Sequence, residues 1–151
     1  MGEYYSQNAE QKYILAALAD KGRFLDIGAW NATDKSNTRA LYERGWTGVL
    51  VEPSPGPFRG LQAAYPPGNG IVLINAAVMT EAGSVDMWLT DDACSTSDSK
   101  TWRKWRGIVQ FLPNRMAVRA ITLEDIFREH GEFDFVSIDT EGTSVDLLFR
   151  L

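Results

Sequence analysis

Two short stretches constrain this chain more than any other feature: Phe24-Leu25-Asp26-Ile27-Gly28-Ala29-Trp30 and Val49-Leu50-Val51-Glu52-Pro53. Each is a short apolar run that ends in a polar residue, as expected of a strand buried on both faces of a parallel sheet. Such strands need crossover connections, so the segments between them must supply helices. The glycine after Asp26 lets the backbone turn close to a ligand. An acid at the end of the next strand can accept hydrogen bonds from both hydroxyls of a ribose. The pair therefore points to an α/β fold that binds a nucleoside cofactor.

The rest of the chain fits that alternation. Helices are predicted over residues 7–20, where Tyr13, Ile14, Ala17 and Leu18 share a face, over 35–44 and over 57–65, with Pro57 in a first turn. Strands are predicted over 23–27, 48–51 and 71–74. The pattern then changes. Residues 77–80, a turn at Glu81-Ala82-Gly83, and alternating Val85, Met87 and Leu89 read as a hairpin-like insertion. Residues 90–117 lack periodicity, and connections of that length are often lids or binding segments. A short strand over 118–121 leads into a helix opened by a Thr122–Asp125 capping box and closed by Gly131. A strand over 133–139 and a helix from Thr143 to Leu151 complete the chain.

With 151 residues, 44% of them hydrophobic and 23% charged, the chain suits a single domain spanning 1–151. A net charge of -5 argues against nucleic acid as a partner. The one cysteine, Cys94, permits neither an internal disulfide nor a cysteine-based zinc site, and no metal site is expected. No apolar run approaches the ~20 residues of a membrane span, and Met1 to Tyr5 lack a basic-then-apolar leader pattern. These features predict a cytoplasmic protein with no membrane partner.

Ligands of open parallel sheets bind beyond the carboxyl ends of the strands. Asp26, Glu52, Asn75 and Asp139 end four of the predicted strands and are expected along one edge. A dinucleotide site would need Gly-x-Gly-x-x-Gly, whereas Gly28 is followed by Ala29, Trp30, Asn31 and Ala32, and no Walker sequence is present. A cofactor without phosphates fits better. S-adenosylmethionine has a ribose for Glu52, an adenine for the Asn75 segment and a cationic end for Asp26. A nicotinamide-dependent oxidoreductase is disfavoured by the same missing glycines.

Six stretches carry a more specific likeness: 24–29, Ser36-Asn37-Thr38, 41–55, Asn75-Ala76-Ala77-Val78, 121–125 and 134–142. In order and content they resemble the FkbM-type methyltransferases. The resemblance implies a Rossmann-like class I methyltransferase fold, a mostly parallel sheet with flanking helices. It also implies S-adenosylmethionine as cofactor and O-methylation of a small molecule or sugar hydroxyl. Position by position, Asp26, Gly28 and Ala29 match the cofactor loop and Glu52 the ribose acid. Asn75 and Ala76 match the adenine segment. Trp30, Ser36 and Pro53 fall within or beside matched stretches and are assigned to cofactor binding with them. Asp139 and Glu141 match the motif beside the transferable methyl and are the expected catalytic pair. Asp139 also counts among the cofactor contacts. Ser95-Thr96 matches a loop near the active site.

This chain has Asn31, Ala32 and Ser144 where the family usually has Asp, Gly and an acid. It also stops within the helix after Asp139, while the family fold continues through further strands. The C-terminal strands are therefore expected to be missing, in a fragment or a minimal version, and the open sheet edge is expected to pair in a homodimer. The alternative function is a non-catalytic, truncated module acting through self-association. Outside the motif, His130 reads as a helix C-terminal cation. Trp102-Arg103-Lys104-Trp105-Arg106 reads as solvated helix with core-packed tryptophans, or as a platform for a sugar ring or an anionic acceptor.

Overall fold

Strands form where the runs are β-branched and apolar, and glycine or proline marks most of their boundaries. The computed structural model describes residues 5–8 and 10–151. The Met1–Tyr4 part of the supposed leader-free terminus lies outside them. In chain order the elements are α1 (Gln11–Ala17), β1 (Arg23–Ile27), α2 (Arg39–Glu43), β2 (Thr47–Val51), α3 (Pro55–Ala64), β3 (Ile71–Ile74), β4 (Ala77–Val78), β5 (Gly83–Met87), α4 (Ser99–Trp105), β6 (Met116–Ile121), α5 (Leu123–His130), β7 (Phe135–Ile138) and α6 (Ser144–Leu148).

The main sheet has the order β3-β2-β1-β7 and is parallel throughout. The chain steps outward from β1 to β3, then returns to pair β7 on the other side of β1. That reversal makes the crevice above β1 and β7 a topological switch point, the place where Rossmann-like α/β sheets bind ligands. Both faces of the sheet are covered. Leu25, Ile27, Val49 and Val51 point to one side, against Ile121, Leu123 and Ile126 around α5 and Leu147 of α6. Phe24 and Leu50 point to the other, against Leu41 of α2, Leu61 of α3, Trp46 and Tyr65. Alternate residues of β1 thus enter different cores, which is why no hydrophilic face is visible in its sequence.

Three expectations change. The insertion is not a hairpin: β6 lies between β4 and β5, parallel to β4 and antiparallel to β5. The Glu81-Ala82-Gly83 turn is real, but Ala77 and Val78 pair with Ala120 and Ile121 instead of with β5. The helix expected over 35–44 begins only at Arg39, because Lys35 is in the left-handed region (φ 57) and Ser36 Oγ accepts the Arg39 N–H at 3.1 Å. The first helix is likewise shorter than 7–20. The Gln11 N–H donates to Ser6 Oγ at 2.9 Å, and extended Leu18 ends the helix. Residue 9 of that expected helix is outside the described residues. Among the described residues, no helix is long and apolar enough to cross a membrane. Val145, Leu148 and Phe149 around α6 are exposed.

Candidate functional site

Register decides which side chains reach the crevice. Ile27 pairs with Val51 and Ile138, and Val51 with Ile74. The next residues, Gly28, Glu52, Asn75 and Asp139, therefore form one row along the carboxyl edge. Backbone bonds continue into that row: Gly28 N–H to Val51 O at 2.9 Å, Glu52 N–H to Ile74 O at 3.0 Å and Asp139 N–H to Ile27 O at 2.9 Å. Asp26, expected from the sequence in this same row, is not part of it. Strand β1 runs on through Ile27, so Asp26 sits one pleat back, opposite Leu50 and Ser137. There its Oδ2 accepts the hydroxyl of fully buried Thr38 at 2.7 Å. Burial pushes its carboxyl up to about 6, against the Thr38 and Ser137 hydroxyls, and nearby Asp139 adds to the rise.

Glu52 is 4% exposed. Its two oxygens are held separately, Oε2 by the Trp30 N–H at 3.0 Å and Oε1 by the Ser54 N–H at 2.7 Å. Burial raises its pKa, and these N–H donors offset part of the rise. Asn75 Nδ2 donates to the carbonyls of Glu52 at 2.7 Å and Pro53 at 3.1 Å, fixing the turn that aims the carboxylate. Trp30 is itself left-handed (φ 41), a conformation that costs a non-glycine residue of order 1–3 kcal/mol. The Glu52 bond to its amide helps to hold it there. Gly28 (φ +81) lies so close to β7 that a Cβ would run into the Asp139 carbonyl, so only glycine closes this crossing.

The aperiodic segment 90–117 closes over the row. Trp88 and Thr96 bridge across its base, and the loop between them is tied down at several points. The Trp30 indole N–H donates to Asp91 O at 2.9 Å, the Ser54 and Ser95 hydroxyls are 2.6 Å apart, and Thr96 Oγ1 donates to Glu141 O at 2.6 Å. Beneath the loop is a narrow, partly enclosed cleft of about 50 Å³ at the switch point. Of the expected cofactor and catalytic residues, Gly28, Trp30, Glu52, Pro53, Ala76, Asp139 and Glu141 line it. Ala29 faces an adjoining cleft. Asp26 and Ser36 are buried and line neither cleft, while exposed Asn75 lines a separate groove with Val72 of β3 and Arg119 of β6. Ala32 belongs to the buried cluster around Leu41 and Tyr65 and does not line the main cleft, while Ser144 bonds to Thr140 at the start of α6.

Residues that the sequence reading left unassigned also line the cleft, among them Met79, Met87, Asp92, Ala93 and Thr140. The only sequence signal for Asp92 and Ala93 is the length of their loop. The Trp102–Arg106 cluster divides. Trp102 stacks on Trp88 with centroids 5.0 Å apart, and Arg106 and Arg115 lie over these two rings, so it builds structure. Trp105 turns to the site, its indole N–H donating to Glu141 Oε2 at 3.3 Å. The carbonyl of His130 accepts from Arg23 at the end of α5. Among the described residues, no group of three or more His, Cys, Asp or Glu residues is arranged to hold a metal ion.

The crevice at the switch point, its acid after β2 and the Asp139–Glu141 pair after β7 are the features on which the sequence resemblance rests. No curated protein and no solved structure matches the chain. The family model described as the methyltransferase FkbM domain does match, over residues 26–148, which takes in every strand except the first three residues of β1. The chain therefore belongs to the FkbM methyltransferase family.

Proposed function

We propose that the chain is an S-adenosylmethionine-dependent methyltransferase acting on a hydroxyl of a small molecule or sugar. The observation that carries this reading is Glu52, a buried carboxylate on the wall of the switch-point cleft. An ionised carboxylate offers about four lone-pair sites, and two backbone N–H groups occupy two. The capacity that remains suits the paired hydroxyls of a ribose. A phosphate-bearing cofactor is served less well, because α2 starts only at Arg39 and brings no helix N-terminus directly after the Gly28 turn.

When bound, S-adenosylmethionine supplies a methyl on a sulfonium, which an acceptor oxygen displaces while the bonding pair stays on sulfur. Everything else falls to the chain. Glu52 holds the ribose, Pro53 and Ala76 flank the adenine, and Gly28, Trp30 and Asp139 meet the amino-acid end. Asn75 fixes the Glu52–Pro53 turn, Asp26 and Ser36 anchor Thr38 and Arg39 at the start of α2, and Ala29 faces the adjoining space. Glu141 takes the hydroxyl proton on Oε1, since Oε2 already accepts from Trp105. Asp139, next to it on the wall, is the second candidate for that base. The loop over residues 90–98 excludes water from the transfer.

Calorimetric titration with S-adenosylmethionine tests the reading. The wild type is expected to bind with a Kd in the micromolar range, about -8 kcal/mol. Glu52→Ala is expected to weaken binding at least ~30-fold, because hydrogen bonds to a charged group are lost. Circular dichroism checks the variant's fold, since the Trp30 and Ser54 N–H groups lose their partner. A folded wild type that ignores millimolar cofactor would refute the reading and favour the non-catalytic module.

A further inference from the structure

A second cleft, of about 370 Å³, opens against the first. The two share Gly28, Trp30, Asp92, Ala93, Asp139 and Glu141, so the expected methyl end and the expected base lie on their common wall. The far wall is apolar and comes from the segment that closes over the site: Trp105 of α4, then Ile108 and Val109 in the turn that follows it. Ile108 is 75% exposed, so its side chain is open to contact from a ligand in this cleft. The bond from Trp105 to Glu141 fixes the indole against the carboxylate, so apolar wall and base form one rigid unit.

The charge on this lining is one-sided. Asp34, Asp92, Asp139 and Glu141 face Lys35 alone. The Lys35 ammonium is drawn over the Trp30 ring, 5.2 Å from its centroid, and the neighbouring Lys104 stands 4.5 Å over Trp105. Cys94, on the same wall, registers the resulting field. Its thiol pKa is pushed up by burial and next by Glu141 and Asp92, and the two lysines offset less. A negative, partly enclosed space repels a further anion.

We propose that this second cleft is the acceptor subsite, and that it takes a hydroxyl compound with a flat or apolar face that is uncharged or cationic. The assignment rests on the methyl-transfer reading above. The apolar face lies on Trp105 and Ile108, the reacting hydroxyl turns to Glu141, and a phosphate or carboxylate on the acceptor is rejected by the four acids.

Transfer of labelled methyl to two matched probe sets tests this: glucose, glucosamine and glucuronate, then catechol, dopamine and protocatechuate. The neutral or cationic member of a set is expected to show at least ~10-fold higher kcat/KM than its anion. Ile108→Ser, at an exposed position, is expected to raise KM for that member several-fold while the Kd for S-adenosylmethionine stays unchanged. An anion used as well as its neutral partner overturns the proposal, as does an unchanged KM in Ile108→Ser. So does a protein that binds S-adenosylmethionine and methylates none of the six. A protein that does not bind S-adenosylmethionine fails one step earlier, at the methyl-transfer reading itself.

Discussion

At Asp26 burial and charge are in direct conflict. It is 4% exposed, accepts the Thr38 hydroxyl with that of Ser137 nearby, and lies one pleat behind the row that holds Glu52 and Asp139. Its folded pKa of about 6 lies above the ordinary 3.8, so the native state holds a proton that the unfolded chain releases. Stability from this group is full below about pH 4 and is lost as pH rises through about 6, a cost of the order of 3 kcal/mol. Asp26→Asn keeps an acceptor for Thr38 and cannot ionise. Urea unfolding at pH 4 to 7 is expected to show the variant gaining stability relative to wild type across that window, by up to a few kcal/mol, with equal slopes in denaturant. No gain at pH 7 would contradict the assignment. The sequence identified Asp26 as special but put it in the wrong row, since a strand's last residue depends on the register of its neighbours, which no local pattern encodes. Glu52 was legible because Pro53 follows it and stops the strand there.

At the scale of elements, α5 shows what local chemistry can specify. Thr122 Oγ1 accepts the Asp125 N–H at 3.1 Å and Asp125 Oδ2 accepts the Thr122 N–H at 3.2 Å, the reciprocal box read from the sequence. Thr122→Ala is expected to cost about 1 kcal/mol, seen as a lower urea midpoint with an unchanged slope. A shift below a tenth of that would show the box to be solvent-compensated. Helix α4 is the opposite case: the sequence marks a solvated helix only around Trp102–Arg106, without its start at Ser99 or its cap. Its seven residues bury no side chain fully, and its support comes from the Asp98 cap and from Trp88, which is remote in sequence and stacks on Trp102. The pairing of β4 with β6 was missed for a related reason. A turn favours a hairpin locally, while the observed register joins segments some forty residues apart. The strands β1 to β3 were legible because burial on both faces leaves a continuous apolar run.

For the whole molecule, the β3-β2-β1-β7 strand order, the closed loop over 90–98 and two adjoining clefts meet in one site at the switch point. The first half of that was legible, because alternating strands and helices with acids at strand ends imply it. The second was not, since the loop reaches the row through the scattered contacts of Trp30, Ser54 and Glu141. The most direct test is a structure of the chain with S-adenosylhomocysteine. The account predicts the nucleoside in the cleft above β1 and β7, both ribose hydroxyls within hydrogen-bond distance of Glu52, and the sulfur toward Asp139 and Glu141. A ribose away from Glu52, or a ligand seated instead in the groove between Val72 of β3 and Arg119 of β6, would contradict it.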